Sequence, residues 1–128
     1  MPFEPTATAL NLPFIELDDA RARLGDGPQS ICLVASERLR VVLLSLPPGI
    51  RPAHVHPYAD EVIQVVSGII EATLSDGRDR VVGPGALLLA PRGTRHQVRV
   101  PGPEPAVLLC SVAPNVDAPD EQVNVDGG

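Results

Sequence analysis

From residue 29 to residue 113 the chain is a succession of short apolar runs, each cut off by a turn signal before it reaches helix length. The runs fall at about 29–35, 39–46, 51–56, 61–67, 69–75, 80–82, 86–90, 95–100 and 106–113. Runs of this length and spacing predict the strands of a sandwich or barrel. The interruptions have physical causes. Pro47-Pro48-Gly49 cannot continue a hydrogen-bonded ladder, Asp76-Gly77 supplies a hairpin turn, and Gly83-Pro84-Gly85 and Pro101-Gly102-Pro103 break the chain sharply. The three aromatic residues, Phe3, Phe14 and Tyr58, are too few to fill an interior. That task falls to Val, Leu, Ile and Ala, branched side chains that suit pleated sheets. An all-β fold is expected.

Period-two alternation indicates which way the strands face. In 95–100, Arg95, Gln97 and Arg99 share one face while His96, Val98 and Val100 share the other, so His96 is expected to point inward. In 69–75, Glu71, Thr73 and Ser75 lie opposite Ile70, Ala72 and Leu74. A chain of 128 residues has material for one ordinary core and not for two domains. Residues 29–113 are read as the barrel. Residues 1–28 are read as an arm with one helical turn near 18–24, stopped by Gly25-Asp26-Gly27-Pro28, and 114–128 as an acidic tail, loose or packed along the surface.

Charge and composition exclude several functions. The formal net charge is −6, but residues 1–113 hold twelve acids against ten arginines, and 114–128 add four acids and no base. A nearly neutral body offers no basic stripe for phosphate neutralisation, so no nucleic-acid partner is expected. No stretch approaches the roughly 18–20 apolar residues of a membrane span. The opening MPFEPTATALNLPF lacks the basic start and continuous apolar segment of a signal peptide, and a cytoplasmic location is expected. Cys32 and Cys110 belong to no C-x-x-C pair and read as small buried hydrophobes in a reducing compartment. The chain contains no lysine, which excludes chemistry through a lysine amine.

The three histidines, His54, His56 and His96, are the groups around which chemistry can be built. On a strand His54 and His56 leave the same face with Cα atoms about 6.5–7 Å apart, close enough to grip one ion. Glu61 follows a turn-like segment, Pro57-Tyr58-Ala59-Asp60, that returns the chain toward the same point. His96 comes directly after the Pro91-Arg92-Gly93-Thr94 corner. A lone histidine is ordinarily a hydrogen-bonded polar side chain, but four donors at such spacing favour one shared cation.

These residues resemble the two motifs of the cupin superfamily. His54-Val55-His56, four residues, Glu61, six residues and Gly68 are similar to the first motif. Gly85, five residues, Pro91-Arg92-Gly93, two residues and His96 are similar to the second, with sixteen residues between Gly68 and Gly85. Two positions depart from the pattern. Four residues rather than five separate Gly49 from His54, and Val100 stands where the second motif ends in Asn. The resemblance implies a cupin-type double-stranded β-helix, a jelly-roll barrel, with a metal held inside its mouth by His54, His56, Glu61 and His96. It also implies a homodimer joined through sheet edges and terminal arms.

Three imidazoles and one carboxylate leave open positions on a five- or six-coordinate ion. They suit Fe, Mn, Ni, Co or Cu, and Zn would also bind. Oxygenation of a small organic substrate, in a dry pocket lined by Ile63, Val65 and Val98, is the leading expectation. Lewis-acid isomerisation, elimination or decarboxylation is the alternative, with Tyr58 or a metal-bound hydroxide as base, and a non-catalytic small-molecule binding module is the third. Arg92 and Arg95 flank the second motif, where they could receive an anionic substrate, but alternation sends Arg95 outward and surface solvation is the expectation for both. Gln64 alternates away from Glu61, and Asp60 is expected in solvent.

Overall fold

Strands form where the apolar runs predict them. The computed structural model describes residues 9–24, 29–74, 76–116 and 123–124. Its elements in chain order are α1 (Leu17–Arg21), β1 (Gln29–Ala35), β2 (Arg40–Leu46), β3 (Gly49–Ile50), β4 (His54–Val55), β5 (Asp60–Ser67), β6 (Ile70–Thr73), β7 (Asp79–Val82), β8 (Leu87–Ala90), β9 (Gln97–Val100), β10 (Ala106–Ala113) and β11 (Val123–Asn124). A five-stranded sheet has the order β1-β2-β10-β5-β8, a four-stranded sheet the order β3-β9-β6-β7, and β11 pairs with β4. The pairings are antiparallel.

One expected strand is divided. The run at 51–56 becomes β3 before it and β4 within it, with 51–53 outside any ladder. Pro52 has no N–H to donate, so the ladder cannot run through it. Arg51 keeps the chain against the sheet by donating its N–H to Val98 O at 3.0 Å. The acidic tail also differs from a wholly loose segment, since β11 returns to pair with β4, placing Asn124 opposite His54. The turn expected at Gly25-Asp26-Gly27-Pro28 lies outside the described residues.

The main core lies between the two large sheets. Ile63, Val65, Leu88, Leu108 and Cys110 from the five-stranded sheet meet Ile70, Ala72, Val98 and Val100 from the four-stranded one. Cross-strand register builds this face in rows. Cys110 pairs with Ile63 and Ile63 with Leu88, while Val112 pairs with Glu61 and Glu61 with Ala90. The other face of the larger sheet is also covered. Leu10, Ile15, Leu17 and Ala20 pack on Leu33 and Leu43. Coverage on both faces explains why β2 and β10 read as near-continuous apolar runs rather than as clean alternation. The arm is tied to β1 by Leu10 N–H to Cys32 O at 3.1 Å and Asn11 N–H to Leu33 O at 2.9 Å. Asn11 Oδ1 accepts a further bond from Ala35 N–H at 2.8 Å. These contacts satisfy backbone groups that an edge strand leaves open.

Among the described residues no helix is long and apolar enough to cross a membrane.

Candidate metal centre

Each donor is delivered by a different local device. Glu61 is the second residue of β5, and its pairing with Val112 and Ala90 turns it into the space between the sheets while Asp60 turns out. His96 immediately precedes β9 and continues the inward set of Val98 and Val100. His56 immediately follows β4, and its carbonyl accepts a 2.9 Å hydrogen bond from Gly93 N–H. That bond joins the loop before His96 to the segment bearing His56. A second tie comes from Asp60, whose Oδ1 accepts from Arg92 N–H at 2.8 Å. The exposed carboxylate expected only to sit in solvent is therefore a clamp on the 91–94 corner.

The three side chains meet. Glu61 Oε1 is 3.0 Å from His56 Nε2 and 3.1 Å from His96 Nε2. One potential ligand atom from each residue lies within 4.8 Å of the others. All three residues are buried, with exposures of 4% for His56, 7% for Glu61 and 2% for His96. The imidazole rings stack with centroids 5.5 Å apart and planes inclined by 21°. Burial pushes the Glu61 carboxyl up, but the contacts with His56 and His96 outweigh it and hold the group at about 2. It is an anion at neutral pH.

The donor set fits a divalent cation. Two ligands about 2.1 Å from one ion and about 90° apart are separated by about 3.0 Å, which matches both contacts to Glu61. The three facing atoms, His56 Nε2, Glu61 Oε1 and His96 Nε2, are themselves buried, so the point between them is shielded from bulk water. His96 Nδ1 lies 3.5 Å from Thr94 O, so the tautomer protonated at Nδ1 would face that carbonyl and leave the Nε2 lone pair for a ligand.

Other candidates fall elsewhere. The backbone of His54 lies in β4, and its side chain is outside the described residues. Tyr58 stands on the bend before β5 and is 56% exposed. Gln64 and Arg92 are exposed and Arg95 is half-buried. Cys110 is buried, but Cys32 is only half-buried, a correction to the expectation for that residue. Of the expected pocket lining, Ile63 and Val98 do line a cavity of about 310 Å³ beside Glu61 and His96, together with Cys110. Val65 lies in the packed core and does not line it.

Two arginines escaped the sequence reading. Arg51 lines the same cavity. Arg40 is buried with 7% exposure and pairs with Val112, the residue that pairs with Glu61, so a cation shares a cross-strand row with the carboxylate. Its position in step with Val42 and Leu44 is the signal that could have identified it.

The sequence pattern of the family described as "Cupin domain" matches residues 42–112. No curated protein sequence matches the chain. Among solved structures, a conserved protein with a double-stranded β-helix domain from Klebsiella pneumoniae is similar, with a TM-score of 0.69, 25% identity, and coverage of 83% of this chain and 89% of that one. A sugar phosphate isomerase of the cupin superfamily from Silicibacter pomeroyi aligns with a TM-score of 0.62 and 26% identity over 70% of this chain and 61% of that one. Oxalate decarboxylase from Bacillus subtilis aligns with a TM-score of 0.66 and 26% identity over 80% of this chain and 29% of that longer one.

Proposed function

The chain belongs to the cupin domain family, and from that premise we propose that it is an enzyme that binds one divalent transition metal through His54, His56, Glu61 and His96 and acts on a small organic molecule. The observation that carries this reading is the convergence of three buried donor atoms beside a mainly aliphatic cavity. Bound there, such an ion supplies a Lewis acid and, where it is redox-active, a centre for oxygen chemistry. Glu61 contributes one negative charge and the imidazoles none, so the site retains net positive charge toward a substrate. Ile63, Val98 and Leu108 line the cavity and keep water from crowding the reacting end.

Oxygenation of a small substrate by a dioxygenase-like reaction is the first reading, supported by the aliphatic cavity wall. The second is isomerisation or decarboxylation by polarising a carbonyl or carboxylate. It is favoured by likeness to an isomerase and a decarboxylase. For the second reading Tyr58 or a metal-bound hydroxide is the candidate base, and a Tyr58→Phe variant with lowered kcat would support the tyrosine, whereas an unchanged kcat would exclude it. A homodimer and a cytoplasmic location belong to the same proposal, the latter in keeping with two free thiols. Sedimentation equilibrium tests the dimer.

Reconstitution with each candidate metal, followed by elemental analysis and turnover assays across small phenols, diketones and thiols, separates the readings. Oxygen consumption with iron supports the first. Turnover with zinc in the absence of oxygen supports the second, and tight ligand capture without turnover on any metal overturns the enzyme in favour of a binding module.

A further inference from the structure

The cavity beside the metal centre has a cationic residue for which the metal gives no account. Its aliphatic wall is formed by Leu44 and Leu46 of β2, Ile63 of β5, Val98 of β9 and Leu108 of β10, and Arg51 lies in the same lining as Glu61 and His96. The backbone of Arg51 is held on both sides. Its N–H donates to Val98 O at 3.0 Å, and its carbonyl accepts from Gln97 Nε2 at 2.9 Å. Both partners belong to β9, the strand that follows His96, so the root of the arginine and the metal centre are fixed by one element. The Arg51 Nε is buried and has no hydrogen-bond partner among the described residues.

A buried guanidinium donor without an acceptor is costly, and an arriving acceptor removes that cost. The planar fork of arginine matches the two oxygens of a carboxylate through parallel charge-assisted bonds. One such cation among aliphatic side chains suits a monoanion with a hydrocarbon body, because a second negative charge would face only apolar groups on that wall.

We propose that the cavity is a binding site for a small aliphatic monocarboxylic acid, with the carboxylate paired to Arg51 and the carbon skeleton laid along Leu44, Leu46 and Leu108. Arg51 is then the residue that selects the substrate class. This inference rests on the proposed function for what happens to the ligand afterwards, and on Arg51 alone for its capture.

Isothermal titration calorimetry with isocaproate, its neutral analogue isocaproamide, and butyl phosphate tests it on zinc-loaded full-length protein. Isocaproate should bind wild type at least about tenfold more tightly than Arg51→Gln, the loss expected for one charge-assisted pair. Isocaproamide should bind both proteins equally weakly, and butyl phosphate should bind more weakly than isocaproate. Zinc content should be the same in both proteins. No binding of isocaproate, equal affinity in Arg51→Gln, an amide as tight as the acid, or a tighter phosphate overturns the proposal. Should Arg51→Gln fail to fold, Arg51→Lys decides. It keeps the charge without the fork, so a loss of about threefold or more supports the pairing and none overturns it. If wild type takes up no metal, the proposed function fails, and the same titrations on metal-free protein still decide the role of Arg51.

Discussion

Glu61 is buried as deeply as the hydrophobic side chains beside it, yet it is held ionised, with a carboxyl at about 2 against an ordinary 4.5. A carboxyl lower in the folded than in the unfolded state stabilises the fold fully above about 4.5, and the contribution is lost as pH falls toward about 2. Urea unfolding of metal-free wild type and Glu61→Gln at a series of pH values should show stability curves that converge across that interval. Parallel curves would show that His56 and His96 do not stabilise the carboxylate. The loaded protein answers to a different group, because protons compete with the metal for imidazole, and occupancy should fall below about pH 6. Occupancy constant to about pH 4 contradicts imidazole ligation. Removing the carboxylate with Glu61→Gln should weaken metal binding by more than the roughly 10–100-fold typical of lost supporting hydrogen bonds, as read by competition with a chromogenic chelator. Residues such as His56, Glu61 and His96 are legible in the sequence because strand alternation and motif spacing fix their direction. Arg51 is not, because Pro52 interrupts the ladder and removes the period from which its direction could be read.

At the scale of elements, strand positions follow from hydrophobic period and turn chemistry, and most observed strands fall within a residue or two of the expected runs. The exceptions come from pairing rather than local sequence. The two residues of β11 form a strand only because β4 lies opposite them, and no run in the tail marks them. The β5–β6 turn illustrates the opposite case, in which a motif residue has a steric reason. Gly68 has φ +81, and a Cβ there would lie 2.5 Å from Pro105 O and 2.8 Å from Ala106 Cα. Gly77, in the β6–β7 turn, has nearly the same φ of +77 but nothing within 4 Å of the added carbon. Gly77→Ala should therefore cost only the left-handed backbone penalty of about 1–2 kcal/mol. Gly68→Ala should cost visibly more, because backbone must also move. Denaturant midpoints of the two variants measured side by side check this, and equal losses would show that the close approach at Gly68 relaxes freely.

Across the whole molecule, the metal centre occupies a joint. Glu61 belongs to β5 of the five-stranded sheet, and His96 stands at the head of β9 in the four-stranded sheet, so a cation held by both would connect the two layers across the end of their shared core. A ligand that binds only the folded state stabilises it by mass action, by about 2.7 kcal/mol at a hundredfold excess over Kd. For a domain of this size that corresponds to a rise in Tm on the order of 10 °C. Melting with metal and after chelation should show this difference, and Glu61→Gln should abolish it by removing the bridge from one side. The bridge also dictates where the loss appears. Strand β1 is held from outside by the backbone bonds to Leu10 and Asn11, whereas β9 meets β5 through apolar packing and through the contact of His96, at its head, with Glu61. Chelation should accordingly accelerate amide exchange in β9 and β5 more than in β1. Uniform acceleration would mean that the cation stabilises the molecule without joining its layers.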